Sequence, residues 1–593
     1  MKKIYIYICL ALTALSFCAC DDFLDRKPIA KMDSEKFFAN EEQLQLYANG
    51  LYINMIPDAE ELTTGKSTCD YLARNTTDAL LQKNFTANQM SGWTIGAWKD
   101  LFRVNYFLEH MDRANCSSEV INHYRGIARF WRAYFYFDKV KTYGDVPWYS
   151  HTIDSKDMVA LYKQRDDREA VMDSVLKDIN FACDHIRNRS ETTITPWMAL
   201  ALKSRICLFE GTYRKYHAVN PSTGQPWKEQ NASERFLKAC IDASEKIIDS
   251  EQFNLYNTKN PETDYRYVFQ QEKPVAEEVI WAKEYSASLS SFHNLTQVFV
   301  SSGNLSNRWS PTQEFVNTYL NRDGSRFTDD PDYSTKGFAQ NAANRDCRLA
   351  QEIMMPGYTK SNNNGKAVAT NPNWSVTMTG YQIIKYNMDG TYYEVTNHCS
   401  NSVPVIRYAE ILLNEAEAKA ELGLMTNKVW DQTIRLIRER AGVKGSAPVT
   451  ADPYLIAYYN NTVTDKWILE IRRERAIELF LEGGGLRYDD LMRWRAGDLL
   501  TKDLGSIYIG SKNLAVDSDG DGKPDLMVVD KVPGNKDKDI TYIDLSKTRF
   551  YTFRDGRLYV ANNNVWENKK YVHPIPTAAI VKNNNLKQNY GWE

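Results

Sequence analysis

The chain has 593 residues, a formal net charge of −3 and 43% hydrophobic residues. This composition is typical of a folded protein, and the near-neutral charge argues against a nucleic-acid partner. The length exceeds what one small core needs, so we expect two domains or one large body built from repeats. After the N-terminus, no apolar run is long enough to span a bilayer.

The first twenty residues have the pattern of an export signal that ends at a lipidation site. Two lysines precede an apolar run, residues 4–15, which is too short for a permanent membrane helix. The signal ends at Ala19 and Cys20, and two acidic residues follow. We therefore expect residues 1–19 to be removed and Cys20 to carry acyl chains that anchor the protein. The alternative is a cleaved, secreted protein without the lipid.

Apolar positions at the helical period predict helices through the first 255 residues. Residues 171–186 and 236–248 each keep one apolar stripe. Between them, Thr195 and Pro196 supply an N-cap and a proline at the first helical position. Residues 130–137 are apolar or aromatic nearly all round, which predicts a central buried helix that ends before Gly144.

The composition changes between about residue 255 and residue 405. Asn, Gly, Pro, Ser and Thr become more frequent, and pieces such as residues 279–282 indicate short strands. This pattern is typical of a loop-rich insertion, where binding residues tend to collect. Helices return at 408–422 and 430–441, and each ends at a glycine suited to a helix C-cap.

These elements predict a mainly α protein built from tetratricopeptide-like helix pairs. We expect residues 20–255 to form the helical part. Residues 256–593 should form a C-terminal part with the loop-rich insertion and a few short strands, packed with the first part into one body. Seven cysteines follow Cys20, and three of them lie in apolar helical patterns. Buried free thiols are therefore expected in preference to a disulfide framework.

Five sequence blocks occur in one order along the chain: residues 20–28, 132–147, 407–418, 474–494 and 573–589. Together they resemble the SusD/RagB family of outer-membrane nutrient-binding lipoproteins. The resemblance implies a SusD-like α-superhelix, anchored at the cell surface, with much of the ligand site in the C-terminal part. It also implies a partner, a SusC-like TonB-dependent transporter that the lipoprotein covers as a lid. One departure is the run Gly483, Gly484 and Gly485, where the family has a Gly-His-Arg-like stretch.

Loop aromatics beside polar side chains are the candidates for a ligand site. Flat apolar rings stack on sugar rings, while amides, carboxylates and arginines bind hydroxyl groups. We expect an oligosaccharide ligand; the alternative is a peptide, as in a peptide importer. For each tryptophan the competing interpretation is packing under a loop, and Trp98 and Trp131 are assigned to helix cores. The predicted ligand-binding residues are Asp70, Arg74, Asn75, Trp93, Trp309 and Trp374.

The chain carries no recognisable catalytic motif. Nucleophile-elbow, zinc-protease, P-loop and dinucleotide patterns are absent from the sequence, and its eight histidines are dispersed. A secreted glycoside hydrolase needs only two suitably placed carboxylates, but pairs such as Glu277 and Glu278 are more typical of a solvated surface. We therefore predict a binding protein and not an enzyme.

Residues 470–482 carry closely spaced charges of both signs on one predicted helix. Glutamates at 470, 474 and 478 would repel one another at i,i+4 spacing, so the arginines between them must act as partners. We interpret this segment as a structural ion-pair network. The alternative is a functional acidic cluster.

An acidic segment near the C-terminus has the spacing of a short calcium loop. Carboxylates at alternate positions, with a glycine after the third, can wrap oxygen atoms around Ca²⁺. Val528 stands where an EF-hand places its bidentate glutamate, so the segment is not an EF-hand. We expect a structural calcium, and the alternative is an acidic surface turn. The predicted metal-site residues are Asp517, Asp519, Asp521, Lys523 and Asp525.

Overall fold

The computed structural model describes residues 37–66, 68–188, 194–301 and 307–593. The export signal and Cys20 lie outside these residues, so cleavage and lipidation stay predictions. Within the described residues the fold is mainly α, as predicted. One large hydrophobic core includes residues from Phe38 to Leu586, so both parts of the chain contribute to it. The boundary near residue 255 stays a prediction.

Helices dominate the first half and return in the last third. In chain order they are α1 Glu41–Met55, α2 Ala59–Thr64, α3 Ile95–His110, α4 Ser118–Tyr143, α5 Met158–Leu161, α6 Arg168–His185, α7 Pro196–Tyr216, α8 Ala232–Ile248, α9 Asp264–Tyr267, α10 Leu295–Val300, α11 Gln313–Val316, α12 Phe338–Ala342, α13 Leu349–Glu352, α14 Tyr408–Glu421, α15 Asn427–Gln432, α16 Ile434–Arg440, α17 Pro453–Tyr458, α18 Lys466–Glu478, α19 Leu486–Arg493 and α20 Thr577–Lys582.

The strands are short. They are β1 Leu72–Ala73, β2 Val219–Asn220, β3 Gln225–Pro226, β4 Val279–Lys283, β5 Ser310–Pro311, β6 Thr359–Ser361, β7 Ala367–Ala369, β8 Val403–Arg407, β9 Leu504–Tyr508, β10 Ala515–Val516, β11 Leu526–Val529, β12 Thr541–Asp544, β13 Tyr551–Arg554 and β14 Arg557–Val560. Antiparallel pairing of β4 with β8 closes the base of the insertion, and β1 pairs with β5. Two three-stranded sheets have the orders β10-β11-β12 and β13-β14-β9.

The long helices pack in a continuous series. Helix α4 contacts α1, α3 and α6, and the series continues through α7 and α8 to α14 and α18. Trp131 on α4 is fully buried, which confirms the predicted central helix. Helix α7 begins as predicted, because the Thr195 side chain accepts a hydrogen bond from the Met198 amide and Pro196 is the first helical residue.

One predicted helix is wrong in detail. Residues 430–441 do not form a single helix, because Thr433 has φ −129° and ψ −86° and separates α15 from α16. Its Oγ1 donates to the Val429 carbonyl at 2.6 Å, a local bond that competes with the helical pattern. The predicted terminal glycines are correct, since Gly423 and Gly442 adopt φ of 72° and 70°. All seven cysteines of the described residues are free thiols, as expected.

The charged helix α18 is the centre of a buried ion-pair network, which confirms the structural interpretation. Arg438 bonds Glu474 at 2.7 Å, and Arg407 bonds Glu482 at 2.7 Å. Glu278 is fully buried and pairs with Arg407 and Arg440, so the predicted surface location of this glutamate is wrong. Burying charges is tolerated here because each carboxylate faces arginine or lysine groups.

The three consecutive glycines have a steric cause. Gly485, which precedes α19, has φ +115°, and a Cβ atom there would lie 2.4 Å from the Lys66 Cβ. The Gly484 amide donates to the Leu62 carbonyl at 2.7 Å. The glycine run therefore lets the chain pass directly against the end of α2, which side chains would prevent.

Candidate functional site

The β1–β5 pair brings two distant polar loops together. Beyond the register pair Ala73 and Ser310, the Asn75 amide donates to the Asn307 carbonyl at 3.0 Å. Thr76 Oγ1 donates to Asn307 Oδ1, also at 3.0 Å. Trp309 follows on the same loop and is half-buried. Two predicted ligand residues, Asn75 and Trp309, therefore lie in one region.

A third segment, residues 373–377, completes this region. Arg308 Nη2 donates to the carbonyl oxygens of Trp374 and Thr377 at 2.5 and 2.6 Å, which holds that segment beside the Asn307 loop. Asn373 is exposed next to these contacts. We name the surface formed by Asn75, Thr76, Asn307, Trp309 and Asn373 the polar face.

Arg308 is a residue of the candidate site that the sequence did not single out. Its φ of +49° places it in the left-handed region, which is uncommon for a residue other than glycine. The two carbonyl contacts of its side chain hold it there, and such backbone strain is concentrated at ligand sites. The available sequence signal was its position directly before Trp309.

Trp309 keeps an unused hydrogen-bond donor. Its indole Nε1 is buried and has no hydrogen-bond partner among the described residues. Its ring meets Phe299 edge-on, with 6.4 Å between centroids. The indole packs in part against the hydrophobic core, and its exposed part is the surface that a sugar ring could contact.

Two predicted residues near this face have structural roles instead. Asp70 is 2% exposed, and its carboxylate accepts from Arg487 Nε at 2.9 Å and Nη2 at 2.6 Å. Arg74 donates to Thr68 Oγ1 at 2.7 Å and lies 3.8 Å from Asp78. Arg74 therefore belongs to a partly exposed polar cluster that lines a small pocket, and neither Asp70 nor Arg74 belongs to the polar face.

Trp374 is also structural. It is 7% exposed, and its Nε1 donates to Ser518 Oγ at 2.9 Å. Ser518 in turn donates through Oγ to Asp525 Oδ2 at 2.8 Å. The indole thus connects the polar face to residues 517–525, which we name the acidic loop. It offers no open ring for stacking.

The acidic loop brings three of the five predicted metal residues together. One carboxylate oxygen from each of Asp517, Asp519 and Asp521 lies within 4.8 Å of the others. Burial, followed by the charges of Asp525 and Asp521, raises the pKa of Asp519 to about 6. A divalent cation could be held at these oxygens and would relieve this repulsion.

The other two predicted metal residues do not join the cluster. Both oxygens of Asp525 accept bonds from Ser518, at 2.7 Å from its amide and 2.8 Å from its hydroxyl. The Lys523 amide donates to Asp521 Oδ1 at 2.8 Å. These bonds shape the turn that presents the three clustered carboxylates.

Trp93 lies in a different place, a large cleft bounded by α3, the loop after α4 and the region of α20. The cleft encloses about 1040 Å³, and its lining includes Trp98, which was assigned to a helix core. The Trp93 ring meets Trp98 at 5.3 Å and Tyr143 at 5.0 Å, both edge-on. We name this feature the apolar cleft. None of the polar-face residues lines it.

No helix within the described ranges has the length and apolarity needed to cross a membrane.

The fold and the candidate site define a class: a mainly α protein whose inserted loops present a polar, aromatic face. Residues 277–592 match the SusD family profile. This match covers more than half of the chain, which therefore belongs to the SusD family. Residues 22–208 match a second profile, described as starch-binding associating with outer membrane.

Solved structures share the fold. A SusD-like protein from Bacteroides fragilis is 20% identical with a TM-score of 0.66, over 95% of this chain and 98% of that chain. A SusD-like carbohydrate binding protein from the same organism is 20% identical with a TM-score of 0.66, over 93% and 100%. Surface glycan-binding protein A from Bacteroides fluxus is 17% identical with a TM-score of 0.55, over 93% and 100%.

Curated relatives are similar over shorter regions. SusD-like protein P25 from Formosa agariphila is 21% identical over 316 residues, 49% of this chain and 53% of that protein. SusD-like protein P2 from the same organism is 24% identical over 233 residues, 36% and 45% respectively. The chain thus matches about half the length of these relatives.

Proposed function

We propose that the protein binds oligosaccharides through its polar face. The observation that carries the proposal is the meeting of two polar segments across the β1–β5 pair, Asn75–Thr76 on one side and Asn307 with the neighbouring Trp309 on the other. An aromatic ring beside amide donors and acceptors is the combination that recognises a sugar ring. The relatives whose names include carbohydrate or glycan binding support this ligand class.

The face combines residues from three separate segments of the chain, which suits a segment of a longer polymer. A peptide remains the second candidate, because exposed amides also bind backbone groups. The test is a combined glycan and peptide array probed with the protein lacking its anchor, followed by calorimetry on each hit. We expect glycan hits whose binding is lost in Trp309→Ala. Binding of peptides alone would contradict the proposal.

We further propose delivery of the bound glycan to a SusC-like TonB-dependent transporter, with Cys20 as the lipid anchor in the outer membrane and exposure at the cell surface. The family membership and the outer-membrane description of the second profile support this part. Cys20→Ala should release the protein from washed outer membranes of cells that lack the transporter. Retention of the variant there would contradict lipid anchoring.

A structural Ca²⁺ at Asp517, Asp519 and Asp521 is the third part of the proposal. The clustering of three carboxylates and the raised pKa of Asp519 support it. The role is to stiffen the loop that holds Trp374 and, through Arg308, the polar face. No catalytic step is proposed.

A further inference from the structure

The apolar cleft has large hydrophobic side chains that are exposed along its walls. On its walls Ile95 is 94% exposed, Phe102 51% and Leu161 41%. Contiguous apolar patches of this kind mark surfaces that another group covers. The cleft is therefore a candidate docking surface.

The lining of the cleft disfavours a sugar. Its polar groups are mainly cationic or already used: Asn105 Nδ2 donates to the carbonyls of Tyr149 and His151 at 3.0 and 3.1 Å. The described lining includes Lys99 and Lys582 and contains no Asp or Glu. The fitting occupant is apolar with negative charges at its edge.

The described chain begins beside this cleft. Phe38 is buried against α3, with its ring 5.8 Å from that of Phe107 and 6.1 Å from that of Tyr106. Tyr106 stacks on Phe102, a wall of the cleft, at 6.0 Å. The segment before Phe37 therefore joins the body about one helical turn from that wall.

That segment has the matching chemistry. Phe23 and Leu24 are flanked by acidic residues at 21, 22 and 25, and Ile29 follows. We propose that residues 21–29 of this same chain, which lie outside the described residues, bind in the apolar cleft. Phe23 and Leu24 bind the apolar wall, and the neighbouring carboxylates face Lys99 and Lys582.

The length of the connection permits this. Between Phe23 and Phe37 the chain can extend about 3.3 Å per residue, or roughly 46 Å in all. Helix α3, which forms the wall, has 16 residues and is about 24 Å long. The segment can therefore reach the far end of the cleft and return.

Docking of this segment would fix the orientation of the protein body relative to its lipid anchor. Provided that Cys20 carries the lipid, as proposed above, only two residues separate the lipid from Phe23. The cleft would then lie on the membrane-proximal side, and rotation of the body about its anchor would be restricted. The glycan proposal does not depend on this inference, because the polar face shares no residue with the cleft lining.

The first experiment locates the segment by photo-crosslinking. The chain from Asp21 onward carries p-benzoylphenylalanine at Asp25, and crosslinked peptides are identified by mass spectrometry. We expect intramolecular crosslinks to α3 or to residues 576–586. Crosslinks confined to other surfaces would overturn the proposal. In a mixture of isotopically labelled and unlabelled protein, crosslinks between two copies alone would also overturn it.

The second experiment removes the apolar contacts. The double variant Phe23→Asp with Leu24→Asp is compared with Ser34→Asp, which adds charge to the same segment without touching those residues. Trypsin cleavage after Arg26 should become about tenfold faster in the double variant and not in Ser34→Asp, because it reports the population of the undocked segment. Phe102→Asp should give the same acceleration from the other side of the contact.

Equal cleavage rates in all four proteins would overturn the inference. Glycan affinity, measured on the same samples, should stay unchanged throughout. Loss of glycan binding in the double variant would place the ligand in the cleft and would also overturn it. The crosslinking result does not require any of these variants to fold.

Discussion

The apolar cleft and the polar face differ in shape, charge and chemistry. The cleft encloses about 1040 Å³ and exposes Ile95 and Phe102, and its described lining residues include lysines but no Asp or Glu. The polar face combines the half-buried Trp309 ring with asparagine side chains and with Arg308, whose φ is positive. Each surface contains one of the tryptophans that the sequence offered as ligand platforms.

Under the proposed function, the larger of the two concave features is not the ligand site. A polysaccharide segment continues in both directions beyond the units that are bound, so its binding surface must leave both ends of that segment free. An apolar cleft next to the point where the chain enters the body suits a segment of that chain. Chemistry and chain geometry, and not volume, distinguish the two surfaces.

The largest expected effect is a loss of unfolding free energy at Asp70, which would show that this residue is structural and not ligand-binding. Asp70→Ala leaves Arg487 buried without its carboxylate, which costs about 3–5 kcal/mol of unfolding free energy. Urea unfolding should show this loss, while glycan affinity measured well below the melting temperature stays within about twofold. Asp112→Ala is the control, because its pair with Arg125 is exposed and contributes at most about 1 kcal/mol. If Asp70→Ala keeps its stability and loses glycan binding, Asp70 is a ligand-binding residue and not a structural one.

The second prediction concerns calcium and affects one surface only. Ca²⁺ at about 100 times its dissociation constant stabilises a folded protein by roughly 2.7 kcal/mol. EDTA should therefore lower the melting temperature and speed hydrogen exchange in residues 515–529 and 371–377, which Trp374 and Ser518 connect. Residues 95–105, at the cleft, should exchange at the same rate. Asp519→Ala should abolish the calcium response, and identical melting of the EDTA-treated and calcium-loaded wild type would contradict the site.

The third prediction compares the two tryptophans directly. Trp309→Ala should weaken glycan binding about tenfold or more, which corresponds to about 1.4 kcal/mol, because a stacking platform is lost. Trp93→Ala should leave the affinity unchanged, although both variants remove the same side chain. Calorimetry on both variants decides the matter. The reverse result would place the ligand in the apolar cleft.

The fold could be predicted largely from local patterns. Apolar periodicity and caps predicted α6, α7, α8 and α14, because these signals act within a few residues. The ion pairs of α18 could also be predicted, because its charged residues need partners of opposite charge whatever element packs against the helix. Thr433 interrupts a predicted helix, and its hydroxyl donates a hydrogen bond to a backbone carbonyl. The spacing of apolar residues carries no information about such a bond. The family resemblance supplied the overall topology and is now confirmed.

The site could be predicted only in part, because it depends on long-range pairing. Asn75 and Trp309 meet through β1 and β5, two-residue strands too short to have a sequence signal. Trp374 and Trp309 lie in similar loops, and only the hydrogen bond to Ser518 shows that Trp374 is used internally. Likewise Asp70 differs from a surface aspartate only through Arg487, which is distant in sequence. Residue type and loop context could not separate these roles.

The smallest expected effect is a pH dependence confined to the acidic loop. Without calcium, the pKa of Asp519 in the folded protein is about 6, above its ordinary value, because of burial and the charges of Asp525 and Asp521. A raised folded-state pKa gives stability that is present at low pH and lost as the pH rises through about 6. In EDTA, the melting temperature of wild type relative to Asp519→Asn should therefore fall between about pH 4 and pH 7, by a degree or so.

Calcium should reverse that trend. The cation favours the charged carboxylate and so lowers its pKa, which makes the wild type more stable relative to Asp519→Asn at pH 7 than at pH 5. Comparing the two proteins at each pH cancels the buried histidines, such as His217 and His573, whose lowered pKa values make the whole fold less stable in acid. A difference that is flat with pH in EDTA would show that the Asp519 carboxylate is not strained, and would remove the electrostatic reason for a cation beside the polar face.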